Sequence, residues 1–176
     1  MEIKFKKSEL VDIINEDIDR LASRSFSEDG TPLYDAIRIK SRDAGVQGRM
    51  LEERDARLRG FLAFCLGGKE DEIVEVKDKD GNVVEKYTNI VYDVVVTNLP
   101  KPPSASSLKV LLRKYLVDSV LYDWYTKHGI PASITYEDIE AMESKLVCTM
   151  RQGYTRKPMQ PFGPKFQNVW QQETEG

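Results

Sequence analysis

One histidine and two cysteines are all the soft-ligand chemistry that this 176-residue chain carries. Cys65, Cys148 and His128 are too few and too far apart for a zinc site of known ligand spacing. No serine sits in a nucleophile elbow, and neither cysteine has a base placed to activate it. Gly67-Gly68-Lys69 lacks the earlier glycine and the following Ser/Thr of a phosphate loop. Asp78-Lys79-Asp80-Gly81-Asn82 has the outline of a calcium loop, but its glycine comes too early and the closing glutamate is missing. The expectation is therefore no catalytic residue, no metal and no cofactor. Long apolar runs are also missing, which excludes a transmembrane helix, and the charged start MEIKFKKSEL does not continue into a signal-type apolar stretch. Nor is there an excess of one charge: 29 acidic against 26 basic residues leave a net charge of -3. That balance gives no general reason to expect nucleic-acid binding. Both cysteines lie among apolar residues at helical spacing and read as buried thiols in a reducing compartment.

What is present is a long apolar helix. In Leu108–His128, Leu108, Leu111, Leu112, Tyr115 and Ser119 fall on one stripe, and Leu116, Val120 and Trp124 on a second. Ser104, Ser106 or Ser107 can cap it, while His128-Gly129 and Pro131 end it. A helix apolar on more than one side has to pack against several elements, so the span from about Ser106 to Lys127 is expected to be the most buried. His128 reads as a solvated or dipole-stabilising residue at its C-terminus.

Other elements take their places around it. Residues 1–6 alternate and suit an edge strand or an extended arm. A helix from Ser8 to about Ala22 carries the stripe Leu10, Ile13, Ile14, Ile18 and Leu21, and Asp12, Glu16, Asp17 and Asp19 read as its solvated face. The polar, glycine-punctuated stretch 23–48 reads as a long connection. A second helix from about Gln47 to Leu66 presents Met50, Leu51, Leu58, Phe61, Leu62 and Cys65, with Gly67-Gly68 as its stop. Ile73, Val74 and Val76 lead into Asp80-Gly81, a strong hairpin signal. Val83–Tyr87 returns, and Ile90–Leu99 is a further β-type run. A last helix begins at Thr135, which forms a capping-box pattern with Asp138. Ile139, Met142, Leu146 and Met150 are its stripe.

From Gly153 onward the character changes. Pro158, Pro161 and Pro164 alternate with Tyr154, Phe162, Phe166 and Trp170, without helical period. These rings have nothing local to bury against, and they are too many for a solvated linker. The 24 residues could reach roughly 80 Å. Arg151, Arg156, Lys157 and Lys165 supply the only concentrated positive charge, suited to acidic partners or to DNA. Tyr154, Arg156, Lys157, Phe162, Phe166 and Trp170 are thus candidate partner-interface residues, and Arg151 and Lys165 candidate contacts to DNA or an acidic partner. The fold class expected is α+β, mainly α. A helical bundle body (1–152) carries an inserted β-hairpin or small antiparallel sheet at about 72–99, and an extended C-terminal arm (153–176).

The order of elements, the helix YLVDSVLYDWY and the basic segment TRKP after the last helix resemble the small head–tail connector (adaptor, or ring) proteins of tailed bacteriophages, including crAss-like phages. The resemblance covers about residues 47–158. It implies a structural virion protein made in the host bacterial cytoplasm, a subunit of a dodecameric ring below the portal that forms part of the DNA channel. Its implied partners are copies of itself, the portal and neighbouring tail or ring proteins, with non-specific DNA contact and no membrane. A reading from another class is an intracellular DNA-binding regulator, with the last two helices as a helix-turn-helix joined by HGIPASIT. Glu137, Asp138, Glu140 and Glu143 speak against it, because they would have to face phosphates.

Overall fold

A computed structural model describes residues 1–22, 30, 44–95, 103–130 and 133–151. Their elements, in chain order, are β1 (Glu2–Lys6), α1 (Lys7–Ala22), α2 (Ala44–Leu62), β2 (Glu72–Lys77), β3 (Val83–Asp93), α3 (Ala105–His128) and α4 (Tyr136–Arg151). The class is α+β, with helices around a small antiparallel sheet of order β1-β3-β2.

Helix α3 is the central element and packs against α1, α2 and α4. Ten of its side chains are buried, among them Leu112, Leu116, Val120, Trp124 and Tyr125. Both expected stripes are represented in that set, although Leu111 is only partly buried. The capping expectations hold as well. Ser104 Oγ accepts from the Ser107 amide at 3.1 Å. Gly129 takes a left-handed φ of 65°, and its amide bonds Thr126 O while that of Ile130 bonds Tyr125 O. These contacts satisfy carbonyls that the last turn would otherwise leave unpaired. His128 stacks on Trp124 with ring centroids 4.2 Å apart, and its Nδ1 lies 2.7 Å from Trp124 O.

Helices α1 and α4 bury the faces that their periodicity marks: Leu10, Ile14 and Ile18 on one, Ile139, Leu146 and Met150 on the other. At the start of α4 the Asp138 carboxylate accepts from the Thr135 amide at 2.9 Å, and Thr135 Oγ1 accepts from the Asp138 amide at 3.2 Å. The amide and the hydroxyl of Thr135, both donating to the carboxylate, hold the Asp138 carboxyl below its ordinary pKa.

Three expectations need correction. Helix α2 starts earlier and stops at Leu62, not Leu66. The next residues turn and run beside β3, so that Leu66 bridges Val94 and the Gly67 amide donates to Asp93 O at 2.7 Å. Gly67 is required by this close approach: a Cβ there would lie 2.5 Å from Asp93 Oδ2. The two β runs after the turn are one strand, β3, which continues through Thr88 and Asn89 because it has a partner on each flank in succession. Cys65 is buried, and burial raises its thiol pKa to about 11. Cys148 is exposed, because the stripe of α4 passes through Leu146 and Met150 and leaves position 148 off it.

The division of β3 decides the shape of the sheet. Residues 89–93 pair with β1 and residues 83–89 pair with β2, so three strands lie side by side only at Asn89. Ile3 and Phe5 of β1 join Ile90 and Tyr92 in the core. The turn between β2 and β3 is a longer loop than the Asp80-Gly81 signal suggests. Asp78 Oδ1 accepts from the amides of Asp80 and Asn82, both at 2.9 Å, and Gly81 takes a φ of 86°.

Candidate interaction surfaces

Charged side chains of α2 tie the body together. Arg54 forms a two-pronged pair with Asp123 of α3. Arg57 reaches Glu143 of α4 at 2.8 Å, and the Tyr115 hydroxyl donates to the same carboxylate at 3.0 Å. Buried Asp55 accepts from the Tyr92 hydroxyl and lies 2.8 Å from Arg59, which also binds Asp71 at 2.6 Å. Burial, reinforced by Asp55, keeps the Tyr92 phenol protonated far above its usual range. A tyrosine that keeps its proton can donate it to the Asp55 carboxylate, and this hydrogen bond joins β3 to α2. The depression beside this cluster, about 240 Å³, is lined by Arg59, Lys69, Val91, Tyr92 and Asp93, and Asp55 is not among its walls. No group of three or more His, Cys, Asp or Glu among the described residues could hold a metal ion. No described helix is long and apolar enough to cross a membrane.

Two surfaces remain. The first lies where the chain leaves the body. Arg151, in the last turn of α4, is exposed and sits 5.4 Å from the ring centre of Phe64. Beside it is an open groove of about 500 Å³ between α2 and α4, lined by Phe61, Val147, Cys148 and Arg151 among others. Arg151 is the one candidate contact residue within the described part. Tyr154, Arg156, Lys157, Phe162, Lys165, Phe166 and Trp170 lie outside the described residues, so the structure neither gathers them nor separates them.

The second surface is the β2–β3 ribbon. Ile73 and Val84 are 64% and 68% exposed, and Val76 and Val83 are 42% and 49% exposed. Half of the exposed large apolar side chains among the described residues are therefore on this one ribbon. Sequence reasoning marked these residues as strand and assigned them to neither surface nor core. The only available signal was the fivefold interruption by Glu72, Glu75, Lys77, Glu85 and Lys86, which a fully buried strand would not tolerate.

In the helix pair α3–α4, the carboxylate of Asp138 is engaged in the cap and that of Glu143 in the Arg57 pair, while Glu137 and Glu140 are exposed. Read as a recognition helix, α4 would present acid to phosphate. No protein-family model, no curated protein and no solved structure matches the chain.

Proposed function

We propose that the chain is a structural subunit of an oligomeric ring at the head–tail junction of a tailed bacteriophage, with copies of itself, the portal and adjoining tail or ring proteins as its partners. The observation that carries this reading is the placement of exposed apolar surface on an appendage that stands off an otherwise well-buried helical body. Soluble chains that work alone seldom spend aliphatic side chains in this way. The aromatic, proline-containing sequence that follows Arg151 has a composition suited to docking, and closed rings are built from head-to-tail contacts. In this proposal the protein performs no chemistry. Arg151, Arg156, Lys157 and Lys165 meet acidic neighbours or passing DNA without reading its sequence.

Negative-stain imaging of the parent particle, with and without residues 154–176, tests the proposal. The expected result is a ring below the portal that is lost on truncation, while the isolated truncated protein melts within a few degrees of the full chain. A protein that instead binds one DNA sequence far more tightly than others at physiological salt belongs to the regulatory class.

A further inference from the structure

We infer that the β2–β3 ribbon is a subunit-joining element: the outer edge of β2 adds as a strand to the unpaired edge of β3 on a second copy of this chain. The inference deepens the ring reading by naming the partner and the contact, though the pairing itself does not depend on a phage setting.

The argument begins with the offset of the sheet. Because β1 pairs only with residues 89–93, residues 83–88 of β3 have β2 on one flank and no described strand on the other. Among the described residues, β2 likewise has β3 on one flank only. Each copy therefore offers two free edges, and they run in opposite directions because β2 and β3 are antiparallel. Rotation about a ring axis preserves the direction of strands that lie along that axis. The β2 edge of one copy then meets the β3 edge of the next in antiparallel orientation, and the same step repeats around a closed circle. A two-stranded ribbon is marginal by itself, whereas a continued sheet gives every backbone group a partner.

Space and charge agree with this occupant. Alongside the free edge of β3 runs an open cleft of about 470 Å³, with Lys7, Val11 and Asp12 of α1 on one wall and Glu85, Lys86 and Tyr87 on the other. The strand that would enter it, Glu72–Val76, is regular, and the only register shift lies at Val76/Lys77 beside the turn. Residues 72–88 hold five carboxylates against three lysines, which disfavours a polyanion as partner. Those acids do not hold two ribbons apart. Glu72 pairs with Lys4 at 2.7 Å, Glu85 with Lys6 at 2.5 Å and Glu75 with Lys86 at 2.9 Å. Asp78 is engaged by the turn amides. Asp80, the fifth acid, lies in the turn, and the large apolar side chains left exposed on the ribbon are Ile73, Val76, Val83 and Val84.

The test uses the full chain. Mass photometry and sedimentation velocity compare the native protein with the double variant Ile73→Lys/Val84→Lys, which places like charges on adjoining copies while altering only exposed positions. The native chain should form discrete oligomers, and the variant should run at the single-chain mass with an unchanged melting temperature. Hydrogen exchange then locates the contact: amides of residues 72–77 and 83–88 should exchange about tenfold or more slowly in the oligomer than in the variant. A native chain that stays monomeric at micromolar concentration overturns ribbon pairing, while the ring reading is still judged on the particle. An oligomer that survives in the variant, or that leaves these amides unprotected, also overturns it and moves the contact elsewhere on the ring. Equal protection in the monomeric variant would mean that the cleft is filled from within the chain, such as by residues 153–176, and would likewise sink the proposal.

Discussion

Helix α3 and the β2–β3 ribbon are built from much the same aliphatic side chains, yet they differ in where those side chains end. In α3, Leu112, Leu116 and Val120 are fully buried by three neighbouring helices. In the ribbon, Ile73 and Val84 face solvent, whereas the β1-paired half of β3 places Ile90 and Tyr92 in the core. Hydrophobicity states what a residue would gain from burial. Only the reach of the surrounding elements decides whether the gain is realised within one chain or deferred to a second.

The largest test of this contrast is Trp124→Ala. Trp124 is buried against Tyr125 and His128, and its loss should cost about 3–5 kcal/mol in chemical denaturation. A cost below about 1 kcal/mol would remove the distinction between the helix and the ribbon. Asp55→Ala comes next, at about 2–4 kcal/mol, since it strands the buried Tyr92 hydroxyl and leaves Arg59 with Asp71 as its remaining carboxylate. Asp55→Asn should recover part of that loss, because an amide oxygen can still accept from Tyr92.

Alkaline pH separates the body from the ribbon without mutation. Burial raises the pKa of Tyr92, Tyr115 and Tyr125, the last to about 12, against an ordinary value of 10.0. In the unfolded chain these phenols lose their protons near pH 10, whereas the folded chain retains them. Stability is therefore complete below that pH and falls above it, by about 1.4 kcal/mol per pH unit for each buried phenol. Denaturation midpoints measured from pH 8 to 11 should bend downward near 10. A flat profile would show that the three rings are not enclosed. On the acid side, the lowered carboxyls of Asp78 and Asp138 work in the opposite sense. Their support is present above the ordinary carboxylate range and fades as pH falls toward their depressed values.

Smaller effects complete the series. Ser104→Ala removes the cap of α3 and should cost about 1 kcal/mol. Ile73→Ala in the monomeric state should stay within about 0.5 kcal/mol, since its side chain already lies in water. The same change should weaken self-association measurably, and an unaltered oligomer would place Ile73 outside the contact.

Local chemistry determined a good deal of this protein. The stripes of α1, α3 and α4, the Thr135–Asp138 box, the Ser104 cap and the Gly129 stop are interactions among residues a few positions apart, so their spacing suffices to specify them. The bounds of α2 and the unity of β3 were not legible in this way. Leu62–Leu66 is apolar enough to continue a helix, and it leaves one because Cys65, Leu66 and Gly67 find backbone partners on residues 93–95. β3 is one strand because β1, eighty residues earlier in the chain, arrives to pair where β2 ends. The basic and aromatic sequence from Tyr154 onward is a candidate interface on composition alone and lies outside the described residues. That the ribbon is surface, offering two free edges of opposite direction, was decided by tertiary structure, because edge and centre are properties of a sheet's neighbours and not of its residues.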